Sequence, residues 1–113
     1  MPCTEGRFIA VASLQLKDPN MKALAKAIEL LYPNAQVQWT EALKRMTVKT
    51  ENGWTTLEVK NNGVDIQGKD MYDLQRELPN AYAAIVRAAA YKAQNMQVSV
   101  KKEGDRIRII AEN

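Results

Sequence analysis

Residues 45–68, RMTVKTENGWTTLEVKNNGVDIQG, constrain the fold more than any other stretch of the chain. Two Asn–Gly pairs, Asn52–Gly53 and Asn62–Gly63, punctuate runs in which apolar and polar residues alternate. Asn–Gly suits a two-residue hairpin turn because both central positions of its commonest form need a positive φ. A turn at Asn52 and Gly53 pairs Val48 with Leu57 and Met46 with Val59, and a turn at Asn62 and Gly63 pairs Ile66 with Val59. Both turns select the same inward face. Slipping either by one residue would expose all of these side chains, so a three-stranded antiparallel meander with one buried face is the frame.

The remaining elements arrange themselves around that frame. FIAVASLQLK (8–17) starts apolar on both sides and then alternates, as a strand leaving a core does. Asp18 and Pro19 form a helix start, and Met21, Leu24, Ala25, Ile28 and Leu31 follow at helical spacing, with Lys22, Lys26 and Glu29 on the opposite side. Pro33 and Asn34 stop the run. Val37 and Trp39 indicate a short strand with a core-directed Trp39, and a bulge or turn follows at 40–43. Asp70 is placed to cap a further helix, which Pro79 is expected to divide into a short turn and a main segment. The main segment's predicted buried stripe is Leu78, Tyr82, Ile85, Val86, Ala89, Ala93 and Met96. A last turn at Glu103 and Gly104 pairs Val100 with Ile107 and Val98 with Ile109. The order β-α-β-β-β-β-α-β-β predicts an α+β two-layer sandwich, a mostly antiparallel sheet with two main helices on one face.

A chain of 113 residues fits one domain, 1–113, with residues 1–6 expected to fray. The composition, 46% hydrophobic and 26% charged, is that of an ordinary globular protein, and a net charge of +3 tolerates an anionic partner without requiring one. Cys3 is the single cysteine, which excludes an intramolecular disulfide and a cysteine zinc cluster and suits a reducing, cytoplasmic setting. No basic and then apolar leader opens the sequence, and no run approaches a membrane span, so no membrane partner is expected.

With that order, the chain resembles a family of small uncharacterised proteins known as a hypothetical chloroplast reading frame, with its bacterial relatives. The residues that carry the likeness are FIAVASLQLK leading into a helix, the ENGW turn, LPNAYAAIVRAAAYKAQNMQVSV with Leu78, Tyr82 and Ala83 ahead of a helix, and the closing EGDRIRII. The resemblance implies a two-layered fold and a soluble location. It contributes no functional residue.

The chemistry is bounded mainly by what the sequence lacks. Without histidine there is no usual general base near neutral pH and no imidazole to activate a nucleophile. Neither GxGxxG nor GxxxxGK[ST] occurs, and no cofactor is expected. Asp70, Asp73 and Glu77 stand at helical spacing and could gather a divalent ion, but acidic residues at a helix start equally complement its positive end. Cys3 has only Arg7 nearby to lower its pKa. The chain is therefore expected to be non-catalytic, with no metal site.

Two surfaces then compete for function. Ala81, Ala84, Ala88 and Tyr91 form a small-residue stripe at helical spacing, expected on the side of the second helix away from the core, which would suit a protein partner or a homodimer. The bland alternative is alanine's helix propensity. The second surface is the open sheet face, where Arg45, Lys49, Trp54 and Lys60, continued by Lys101, Arg106 and Arg108 of the last hairpin, combine cations with one aromatic as single-stranded nucleic acid requires. A solvated antiparallel face with cross-strand charge pairs would look the same.

Overall fold

The computed structural model describes residues 10–113. Cys3, Arg7, the first two residues of FIAVASLQLK and the expected fraying at 1–6 lie outside the described residues. The described residues form β1 (Ala12–Gln15), α1 (Met21–Leu31), β2 (Gln36–Thr40), β3 (Arg45–Thr50), β4 (Gly53–Lys60), β5 (Gly63–Gly68), α2 (Met71–Ala93), β6 (Gln97–Glu103) and β7 (Arg106–Glu112). This is the predicted α+β order. Among the described residues no helix is long and apolar enough to cross a membrane.

Five strands form one antiparallel sheet in the order β1-β5-β4-β3-β2. One of its faces carries Met46, Val48, Leu57, Val59, Val64 and Ile66, and α1 and α2 cover it with Leu24, Ala27, Ile28, Leu74 and Leu78 to form the core. The inward set is the one the alternation predicts. The register differs by two residues at each turn: Thr50 pairs with Gly53 and Met46 with Leu57, while Lys60 pairs with Gly63 and Val59 with Val64. The loops are thus Glu51–Asn52 and Asn61–Asn62, and each glycine opens the following strand. A shift of two preserves the face, which is why the core prediction survives it. Gly63 has a tertiary reason for its place, because a Cβ there would run into the Leu14 carbonyl of the neighbouring β1.

Helix boundaries also moved. The α1 cap is Asn20 rather than Asp18: its side chain accepts from the Ala23 amide at 3.0 Å. The Tyr82 hydroxyl accepts from the Asn20 amide at 3.0 Å, so the cap is tied to α2. Pro79 does not divide α2, which runs unbroken through it. Met71, Leu74 and Leu78 before the proline and Ala81 and Tyr82 after it are buried in one core, which holds the helix together across the missing hydrogen bond.

The last hairpin departs most from expectation. Rather than extending the main sheet, β6 and β7 form a separate two-stranded antiparallel ribbon in which Val100 pairs with Ile109 and Glu103 with Arg106. Its loop is Gly104–Asp105, with Gly104 at φ +60° in the first central position. Geometry explains the ribbon's place. A helix of 23 residues is about 34 Å long, whereas strands of six to eight residues span roughly 20–27 Å, so α2 overhangs the sheet. The ribbon packs along α2 and also reaches α1 through β6.

Candidate functional site

The stripe Ala81, Ala84, Ala88 and Tyr91 is a contact face whose occupant is the chain itself. Ala81, Ala84 and Ala88 are buried and Tyr91 is half-buried. Glu77, one turn before Ala81 on the same stripe, meets Lys102 of β6 at 3.6 Å, which aligns the stripe with the ribbon. The expected outward placement of these alanines is therefore corrected: Ala81 belongs to the main core, and Ala84 and Ala88 are buried further along a helix against which β6 and β7 pack. The expected burial of Val86, Ala89 and Ala93 is corrected for the same reason. Ile85 is the last residue of α2 packed against the main core, the ribbon packs on the same helix, and Val86 is 48% exposed beside exposed Ala83, Ala89, Ala90 and Ala93.

The open face of the main sheet has the predicted membership but not the predicted charge. Glu58 pairs with Lys60 on its own strand and with Arg45 across the β3–β4 ladder at 3.7 Å. The hydrogen bond from Lys60 lowers the Glu58 pKa, and the same bond raises that of Lys60. Asp65 stands directly opposite Glu58 and accepts from the Ser13 hydroxyl at 2.9 Å. Arg45 and Lys60 are thus already paired. Lys49 lies over the Trp54 ring, 5.6 Å from its centre, and Trp54 is 53% exposed beside a shallow depression lined by Thr56, Gln67, Gly68 and Lys69. Lys101, Arg106 and Arg108 lie on the outward face of the ribbon, where Arg108 meets Glu103 at 3.6 Å. The structure divides the seven candidate nucleic-acid residues between two sheets. Trp39 adds no second aromatic to this face: it shares the core side with Met46, yet at the sheet edge it is 41% exposed rather than committed to the core.

Asp70, Asp73 and Glu77 go to separate tasks. Asp70 is 2% exposed and makes no side-chain cap; its carboxylate accepts from the Thr50 hydroxyl at 2.6 Å and the Asn52 amide at 2.8 Å, and its backbone amide donates to the Thr55 hydroxyl at 3.0 Å. The residue expected to start a helix instead locks the β3–β4 turn onto that helix. Asp73 pairs with Arg76 at 3.0 Å and Glu77 with Lys102. Among the described residues no group of three or more carboxylates or thiols is assembled for a metal ion. Tyr32 lies near these acids, and burial, followed by the charges of Asp70, Asp73 and Glu77, pushes its pKa up to about 12.

The feature that sequence reasoning missed is the ribbon's open edge. No further strand pairs with β6 or β7 among the described residues, and Val98, Val100, Ile107, Ile109, Ile110 and Ala111 are all half-buried. The consecutive pair Ile109–Ile110, which puts an apolar side chain on each face of β7, was the available signal. Fold and surface together define a two-layer α+β domain carrying an unextended β-ribbon on an overhanging helix. No family model, curated protein or solved structure matches the chain.

Proposed function

We propose that the protein is a non-catalytic module that acts by binding another protein chain, a partner or a further copy of itself, through the β6–β7 ribbon and the overhanging part of α2. The observation that carries this reading is a two-stranded ribbon with both edges unpaired among the described residues, in which Ile110 adds an apolar side chain to the otherwise basic outer face. The ribbon is held by α2 on one side only, and an unpaired strand edge, with its free N–H and C=O groups, is where another chain adds. Half-buried Tyr91 and buried Ala84 and Ala88 lie on the same helix. A reducing, cytoplasmic setting suits the single cysteine.

Single-stranded nucleic acid is the second reading, favoured by Lys49 poised over exposed Trp54. It is weaker because Glu58 engages both Arg45 and Lys60. Salt separates the two readings, since phosphate contacts release counterions and an apolar interface does not. The test is light scattering behind a sizing column in low and high salt with the ultraviolet absorbance ratio recorded. A salt-resistant protein complex of defined mass is expected. Co-purifying nucleic acid that high salt removes, together with a monomeric protein, would refute the first reading in favour of the second.

A further inference from the structure

We infer that the chain which completes the ribbon is a second copy of this protein, paired β7 to β7 in antiparallel fashion about a two-fold axis at Ile109. The inference rests on the protein-binding reading above and names its partner.

Hydrogen-bond parity limits the register. Glu103 and Arg106 flank a two-residue loop, so they exchange hydrogen bonds, and alternation along the ladder sends the N–H and C=O groups of residues 106, 108, 110 and 112 toward β6. Ile107, Ile109 and Ala111 then direct theirs to the outer edge. The same parity holds in the main sheet, where pairing continues past the β3–β4 strands with the Val59 amide donating to the Lys44 carbonyl at 2.8 Å. Two β7 strands can pair only with these outward residues opposed. An axis at Ile109 opposes all of them: Ile109 to Ile109, and Ile107 to Ala111 twice.

Charge selects the same register. In RIRIIAE the basic end precedes the acidic one, and an axis at Ile109 sets Arg106 against Glu112 of the second copy on both sides. An axis at Arg108 would oppose two arginines, and one at Ile110 would shorten the overlap. The β6 edge is a poor alternative, because Lys101 and Lys102 guard it and β6 is the strand that reaches α1.

The helices fit the same arrangement. Pairing places the two ribbon midlines two strand spacings apart, roughly 9–10 Å. Since α2 meets both strands of its ribbon, the two α2 helices come to about the distance at which helices pack. The contact thereby grows from one strand pair to a four-stranded sheet backed by two helices.

The test uses the full chain in sizing-column light scattering at several concentrations. The expected mass is about 25 kDa, twice the 12.7 kDa of one chain. Ile109→Pro removes an outward amide without touching the β6–β7 ladder and should give a monomer with an unchanged circular dichroism spectrum. Arg106→Glu, which does not depend on tolerating a proline, should weaken the dimer at least about tenfold by opposing like charges twice, and Arg106→Glu with Glu112→Arg should restore it. A monomeric wild-type protein at every concentration overturns the proposal. A dimer that persists in Ile109→Pro and in Arg106→Glu also overturns it, while leaving self-association through another surface standing.

Discussion

Replacing Asp70 with alanine tests whether one buried carboxylate couples the β3–β4 turn to the start of α2. The substitution deletes the acceptor for the Thr50 hydroxyl at 2.6 Å and for the Asn52 amide at 2.8 Å. Hydrogen bonds of this kind contribute roughly 1.5 kcal/mol each, so their joint loss is worth about 3 kcal/mol. Both donors belong to a turn that water reaches, and rehydration brings the expected net loss nearer to about 2 kcal/mol. For a chain of this length that corresponds to a fall of roughly 8 °C in Tm. Thermal and urea unfolding followed by circular dichroism measure it, and a cycle with Thr50→Val isolates the pair. The expected coupling is about 1 kcal/mol, because each single change already breaks the shared bond. A loss below about 0.5 kcal/mol for Asp70→Ala, or strict additivity with Thr50→Val, would refute the reasoning and reduce Asp70 to a residue that merely occupies space.

Tyr32 should titrate about two units above the ordinary tyrosine value of 10.0, near 12, in an ultraviolet difference titration against Tyr32→Phe. The pKa is raised on folding, so this contribution to stability is intact below pH 10 and is lost as pH rises through 12; a midpoint near 10 would contradict the placement among Asp70, Asp73 and Glu77. Gly68 has φ +132°, and a Cβ there would lie 2.6 Å from the Thr55 Cα of the neighbouring strand. Gly68→Ala should therefore lower stability by about 2 kcal/mol or more in the same unfolding assays, and a change below about 0.5 kcal/mol would mean that β4 and β5 separate more easily than their pairing indicates.

Much of the molecule was legible because some signals are local. The period-two alternation through Met46, Val48, Leu57, Val59 and Ile66 names the buried face whatever the turn geometry, and a two-residue error in register leaves it intact. Met21, Leu24, Ala25, Ile28 and Leu31 are buried in α1 as their spacing requires. The outward set on β3, β4 and β5 follows from the same alternation, so Lys49 and Trp54 were placed together correctly. Less legible was anything that depends on a distant neighbour. The turns moved because Asp70 holds Thr50 and Asn52, and because Leu14 of β1 crowds Gly63, contacts made across 18 to 49 positions of chain.

The candidate site shows the same division. Sequence alone determined that α2 carries a stripe of small residues and that the last hairpin has an apolar side and a basic side, since both are matters of spacing along one element. Only the tertiary structure decided that the stripe and the hairpin meet. That outcome follows from lengths: α2 outruns the sheet beneath it, its overhang needs a cover, and the ribbon that supplies the cover is thereby kept out of the main sheet with its own edges unpaired among the described residues. Propensity and periodicity describe which face an element buries; which partner it buries that face against is set by how far each element reaches.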